Sequence, residues 1–272
     1  MVDTRSHSAL KETPHLLQYP GEIRNLIYRF VLSSPYPLHY YASETFGCPG
    51  LLCEPGRQDL KRHVNQLKYV NHQLHTETSD LELRFNDVYI SQEELGWVGR
   101  NAGAIFPFLE DIRAPRLSWL KTVTIRPPKL DVHREWKKAI ATRADLAQLF
   151  PDEPLPTIHF VLPSLTPGPG MPTALFMMHG LAISWKLRGN GPSWALLHMV
   201  CEEARAEIRE QITGMEHLHF LLPQFRLLPN QKEINASWIR CAVRDVPKSA
   251  ELCGRLLRHW IYHAAKWTRN GM

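Results

Sequence analysis

The 272 residues include 44% hydrophobic and 22% charged side chains, and 32 Lys and Arg against 27 Asp and Glu leave a net charge of +5. This is ordinary globular usage, and it excludes collagen, coiled coil, membrane bundle and disulfide miniprotein. A balance so mild and so dispersed lacks the concentrated basic face of a nucleic-acid binder. Domains run to roughly 100–200 residues, so the length allows one large domain or a small module joined to a larger one. Proline (21) outnumbers glycine (15), which means frequent rigid breaks.

Residues 1–13 are polar, contain no apolar core of signal-peptide length, and read as a flexible N-terminus. No stretch approaches the roughly 18 apolar residues of a membrane span. The five cysteines are odd in number and scattered, the pattern of free thiols in a reducing compartment. A cytosolic or nuclear protein without membrane association is expected.

The first element is a helix from Pro20, in PGEIRNLIYRFVL, where Ile23, Leu26, Ile27, Phe30 and Val31 form one continuous apolar stripe. Pro20 suits a first helical turn, and Glu22 suits the positive end of the dipole. Residues 34–58, rich in Pro, Gly and Tyr, read as a long irregular loop. A second helix is expected over Asp59–Leu83, with Leu60, Val64, Leu67, Leu74, Leu81 and Phe85 on its apolar line. Strands are expected at Asp87–Ser91, Leu120–Arg126, Pro156–Leu162 and Glu216–Leu222. Helices are expected near Gln92–Asn101, Val132–Phe150 and Ser193–Thr213. A last helix at Lys248–Thr268 sets Leu252, Leu256, Leu257, Trp260, Ile261 and Ala264 on one face. Alternating strands and helices imply parallel pairing and an α/β fold, with α+β as the alternative. LSWLKTVTIRPP, PLPTIHFVLP and GMEHLHFLLP share a loose pattern in which proline closes a strand, like degenerate leucine-rich-repeat spacing.

LLQYPGEIRNLIYRFVL resembles the opening of fungal F-box-like proteins, usually written LLxLPxEIRNxIYxxVL, with Pro20, Glu22, Ile23, Arg24, Asn25, Ile27 and Tyr28 in place. QLKYVNHQLHTETSDLELRFNDVYI is similar to the family's next segment. Tyr19 replaces the usual Leu, and His72 stands where Arg is common. The resemblance implies a helical module over residues 14–90 that docks a Skp-type adaptor through Leu16, Leu17, Tyr19, Pro20 and Ile23. Residues 91–272 would then form a strand/helix region that recognises an unknown target protein. The whole would be a non-enzymatic adaptor, the substrate-recruiting subunit of a Skp–cullin ubiquitin ligase. The bland reading gives those apolar side chains to the protein's own core.

Motifs for chemistry are weak. Cys48, Cys53, His63, His72 and His75 lack the tight paired spacing of a structural zinc site. His259 and His263 have zincin spacing, but Trp260 stands where the catalytic Glu belongs, and the pair reads as a polar flank. No phosphate-binding loop or nucleophile elbow occurs. The expectation is therefore no catalytic residue, no metal and no cofactor. Strand alternation places Thr122, Thr124 and Arg126 with Thr157 and His159, and with His217 and His219, on one sheet face, a candidate partner-binding surface. A small-molecule binder or enzyme using this His-lined face is the alternative, and a scaffold with no ligase link is a third reading.

Overall fold

The computed structural model describes residues 15–41, 51–53, 63–91, 105, 108–109, 112, 114–130, 132–149, 156–166, 173, 176–181, 224–230, 235–244 and 250–271. The described fold is mixed α/β around a six-stranded sheet. Its strands are β1 (Leu38–Tyr41), β2 (Leu51–Cys53), β3 (Val88–Ser91), β4 (Thr122–Arg126), β5 (Thr157–Leu162) and β6 (Phe225–Pro229). They lie in the order β2-β1-β3-β4-β5-β6. The β1–β2 pair is antiparallel, and every other neighbouring pair is parallel.

The expected strands at Asp87–Ser91, Leu120–Arg126 and Pro156–Leu162 are present with slightly later starts. Their alternation places Val123, Ile125, Ile158, Phe160 and Leu162 in the main core. The loop expected over residues 34–58 is not what the structure shows. The segment 34–58 holds β1 and β2, which gain their hydrogen bonds by joining the sheet, β2 at its end and β1 between β2 and β3, although their composition resembles loop. The sheet therefore continues across residue 90: β3 pairs with both β1 and β4. The expected strand Glu216–Leu222 lies outside the described residues, whereas β6 has no counterpart among the expected strands. Pro229 ends β6 on the sheet edge, where its missing N–H costs no ladder bond.

Helix α1 (Gly21–Leu32) begins after Pro20, whose carbonyl accepts from the amides of Ile23 and Arg24, both at 3.0 Å. The single helix expected over Asp59–Leu83 is broken into a 3₁₀ turn (Leu67–Tyr69), α2 (His72–Thr78) and α3 (Leu81–Phe85). Asn71 caps α2 by accepting from the Leu74 amide at 2.8 Å, the local bonding that makes Asn a helix starter. Asp80, at φ 63°, turns the chain between α2 and α3. The expected helices at Val132–Phe150 and Lys248–Thr268 appear as α4 (Val132–Leu149) and α6 (Ala250–Asn270). Between the last two comes α5 (Ala236–Arg244), which packs on α6. The helices expected near Gln92–Asn101 and Ser193–Thr213 lie outside the described residues.

The main core fills one face of the sheet. Leu38, Val88, Val123, Phe160 and Leu227 from the strands meet Ala139 and Leu146 of α4 and Leu256, Trp260, Ala264 and Trp267 of α6. A separate small cluster (Tyr28, Leu32 and Leu74, flanked by Leu16, Leu17, Leu67, Leu81 and Phe85) joins the N-terminal helices. Glu135 of α4 is fully buried and accepts from the amides of Leu130 and Ser164, both at 2.9 Å. It thereby ties together the chain leaving β4 and the chain leaving β5.

Candidate functional site

Two surfaces carry the sequence-derived site residues: the outside of α1 and the half-buried face of the sheet opposite the core. On α1 the apolar stripe points away from the protein. Tyr28 and Leu32 are buried, whereas Ile23, Leu26, Phe30 and Val31 are 42%, 63%, 87% and 52% exposed. An amphipathic helix ordinarily turns such a stripe inward. Here the inward line is Arg24, Tyr28 and Leu32, so the bland core reading fails for Ile23. Tyr19 and Pro20 are also exposed, and Leu16 and Leu17 are half-buried against the Tyr28 cluster. The adaptor-binding set therefore divides: two residues help close the small core, and three lie on the surface.

The inward line is held by an ion pair with α2. Arg24 donates from Nε to Glu77 Oε2 (2.9 Å) and from Nη2 to Glu77 Oε1 (2.8 Å), and its Nη1 donates to the Tyr19 carbonyl (2.6 Å). Tyr28 donates to Glu77 Oε2 at 2.6 Å, and Gln73 donates to Oε1 at 2.9 Å. Two residues of the EIRNLIY motif thus converge on one carboxylate. Hydrogen bonds from Arg24, then Tyr28, hold Glu77 down at about 2. Burial, then the Glu77 bond, pushes Tyr28 up to about 12. The signs define a window. The Glu77 contribution is complete above its ordinary 4.5 and is lost as pH falls towards about 2. The Tyr28 contribution is complete below 10.0 and is lost as pH rises towards about 12. In urea unfolding across this range, Tyr28→Phe is expected to flatten the decline between pH 10 and 12, and Glu77→Gln the decline below pH 4.5. A decline between pH 10 and 12 unchanged in Tyr28→Phe would contradict the assignment.

Below α2 lies a buried polar hub. Glu82 is 1% exposed and accepts from Asn65 Nδ2 at 2.7 Å, and the same Nδ2 donates to the Thr78 carbonyl at 2.6 Å. The Asn65 amide donates to His63 Nδ1 (3.1 Å), and His63 Nε2 lies 3.1 Å from Lys68 Nζ and 3.5 Å from Glu82 Oε1. Burial, reinforced by the Lys68 ammonium, lowers His63 to about 3, so the ring is neutral at pH 7. Burial pushes Glu82 up. Of the residues weighed as a zinc set, His63 is in this hub, His72 and His75 are exposed on α2, and Cys53 is buried in β2. Cys48 lies outside the described residues. Among the described residues, no group of three His, Cys, Asp or Glu side chains could hold a metal ion.

On the sheet, the register aligns Cys53, His39, Tyr89, Thr124, His159 and Arg226 in one line across all six strands. The rings of His39 and Tyr89 are 4.7 Å apart. Thr122 and Thr157 pair one step before this line, and Ser91 and Arg126 pair one step after it. Thr122, Thr124, Arg126, Thr157 and His159 therefore share the face opposite the core, as strand alternation predicts. His217 and His219 lie outside the described residues; at the strand beside β5 stand Arg226 and Leu228 instead. Sequence reasoning misses His39 and Arg226, because β1 and β6 do not read as strands, and it misses Tyr89 although Asp87–Ser91 does read as one. The one signal for them is a short alternation, visible in Leu38–Tyr41 and Phe225–Pro229 only once pairing is known. Burial, followed by the neighbouring Arg226, lowers His159, with Asp87 acting the other way. Arg226 donates from Nη1 to the Asn270 carbonyl at 3.0 Å. Arg126 Nε is buried without a hydrogen-bond partner among the described residues.

The other sequence candidates are structural. His259 and His263 stack at 4.2 Å on α6, and His263 also packs 5.5 Å from the buried Trp267. Burial lowers both rings, His263 to about 4. They are half-buried rather than a solvated flank. Of the aromatics beside the basic residues of α6, Trp260 and Trp267 are core and Tyr262 is exposed. Among the described residues, no helix is long and apolar enough to cross a membrane.

No family model, curated protein or solved structure matches the chain.

Proposed function

We propose that the protein is a non-enzymatic interaction adaptor in which α1 docks a Skp-type partner and the sheet face opposite the core receives a target protein. The observation that carries this reading is the outward apolar stripe of α1. Ile23, Leu26 and Phe30, spaced i, i+3 and i+7, are the anchors of a helix-in-groove contact. Exposed apolar side chains in such a cluster mark interaction sites more often than monomer surface. The Arg24–Glu77–Tyr28 lock holds the opposite side of the same helix, so the stripe is presented on a fixed support. The resemblance of PGEIRNLIY to F-box-like proteins names the class of partner, an analogy of motif rather than of site chemistry. The parallel strands β1, β3, β4, β5 and β6 follow one another in chain order, which supports a loosely repeat-like recognition region.

The test is capture of a purified Skp adaptor by the full chain. Ile23→Asp and Leu26→Asp are expected to weaken capture at least 10-fold without lowering the melting temperature, because both side chains are exposed. Capture retained by both variants, or absent from the unaltered chain, would remove the ligase reading.

A further inference from the structure

We infer that two copies of the chain pair through α1, antiparallel about a two-fold axis that crosses the helix at Leu26. The inference goes beyond the adaptor reading and does not rest on it. Ile23, Leu26 and Phe30 run down the outer side of α1, and all three are exposed, Phe30 most of all at 87%. Glu22 and Arg29, seven residues apart, stand on one edge of that stripe, about 10.5 Å from each other along the helix. Both are exposed, and neither makes an ion pair among the described residues, whereas Arg24 on the inward side is held by Glu77.

This pattern is complementary to itself. Ile23, Leu26 and Phe30 follow the three-then-four step of a two-helix seam, and Glu22 and Arg29 each sit just before a seam residue, where flanking charges set orientation. Laid antiparallel, two such seams bring Ile23 of each copy against Phe30 of the other, and Leu26 against Leu26. The same alignment sets Glu22 of each copy beside Arg29 of the other, so the two-fold axis makes the ion pair twice. Both pairings are centred on Leu26 to within half a residue, so one register satisfies the apolar and the charged contacts together. A parallel pair would instead oppose Glu22 to Glu22 and Arg29 to Arg29, which is repulsive. The helix is already held from behind by the Arg24–Glu77–Tyr28 contacts, so pairing does not have to order it. One 12-residue helix covers far less than the roughly 1,200 Å² of a stable interface. The pairing is therefore weak and reversible, and the stripe is free for another partner when the chain is dilute.

The experiment is sedimentation equilibrium of the full chain at concentrations up to about 200 μM, which reaches weak pairing. The expected result is a reversible monomer–dimer equilibrium. Glu22→Arg and Arg29→Glu should each weaken it at least 10-fold, about 1.4 kcal/mol, because each reversal turns two attractive pairs into two repulsive ones. The double variant Glu22→Arg/Arg29→Glu should recover the dimer, and mixing the two single variants should form mixed dimers. Phe30→Asp should leave only monomer. Melting temperatures should not change in any of these variants, since the altered side chains are exposed. A chain that stays monomeric throughout, a dimer insensitive to the single reversals, or a double variant that does not recover would overturn the inference. Skp capture, read separately on dilute chain, keeps the two readings apart. Self-pairing without capture removes only the ligase reading, and capture by a chain that never pairs removes only the self-pairing.

Discussion

Trp267→Ala is expected to destabilise the protein by about 3–5 kcal/mol, the range for truncating a large buried aromatic. The indole is 1% exposed on α6 and lies edge-on to Phe176, with ring centroids 6.1 Å apart. It also lies directly over Gly180. A Cβ built on Gly180 would come closer than 3.0 Å to three indole carbons. Gly180 is present because α6 and the helical residues 176–181 approach too closely for any side chain at that point. Gly180→Ala alone should therefore cost about 1–3 kcal/mol through overpacking. On the Trp267→Ala background the new methyl group enters vacated space, so its cost should vanish or change sign. A double-mutant cycle by chemical denaturation measures the coupling. Additive costs would mean that the two residues do not share this contact. Since a typical domain holds only about 5–15 kcal/mol in total, Trp267→Ala removes a large part of the margin.

The second large effect is expected at Asn86. The residue is 3% exposed and uses both ends of its amide. Nδ2 donates to the Leu32 carbonyl (2.7 Å), at the end of α1, and to the Glu82 carbonyl (2.8 Å), in α3. Oδ1 accepts from the Ser34 amide at 2.6 Å, where the chain turns towards β1. One side chain thus joins two helix ends to the entry of the sheet. Each net hydrogen bond contributes about 1 kcal/mol, and carbonyls left buried without donors add to the loss, so Asn86→Ala should cost about 2–4 kcal/mol. Asn86→Asp should be worse at neutral pH, because a carboxylate would face two carbonyl oxygens. Its folded-state pKa is then raised, so part of the loss should return as pH falls and the carboxyl protonates. Urea midpoints at pH 7 and pH 4 check both statements; an Asp variant more stable than Ala at pH 7 would contradict the assigned bonding.

Asn86 also shows what the residues of the two N-terminal segments do in the fold. Arg24, Tyr28, Asn71 and Asn86 belong to the segments that carry the resemblance, and all four act structurally. Two hold Glu77, one caps α2, and one joins α1 to α3. Ile23, Leu26, Phe30 and Val31 of the first segment form the exposed stripe. That division of labour supports reading the stripe as a docking surface.

Much of the fold is legible in the sequence because it depends on local periodicity. The alternation in TVTIR and TIHFVL specifies which side chains enter the core, and the apolar face of α6 specifies Trp260 and Ala264. Pro127 and Pro163 follow β4 and β5 directly, as their inability to extend a ladder requires. Periodicity alone also establishes that α1 is a helix with an apolar side. What it cannot supply is direction. The apolar stripe of α1 faces outward because the Arg24–Glu77 ion pair and the buried Tyr28 decide which side meets α2, and Glu77 is 53 residues away from Arg24 in the chain. The strands β1 and β6 likewise exist through pairing with distant neighbours, so their composition gives little notice of them. The row from His39 to Arg226 follows from that pairing, since a cross-strand line has no counterpart along the sequence.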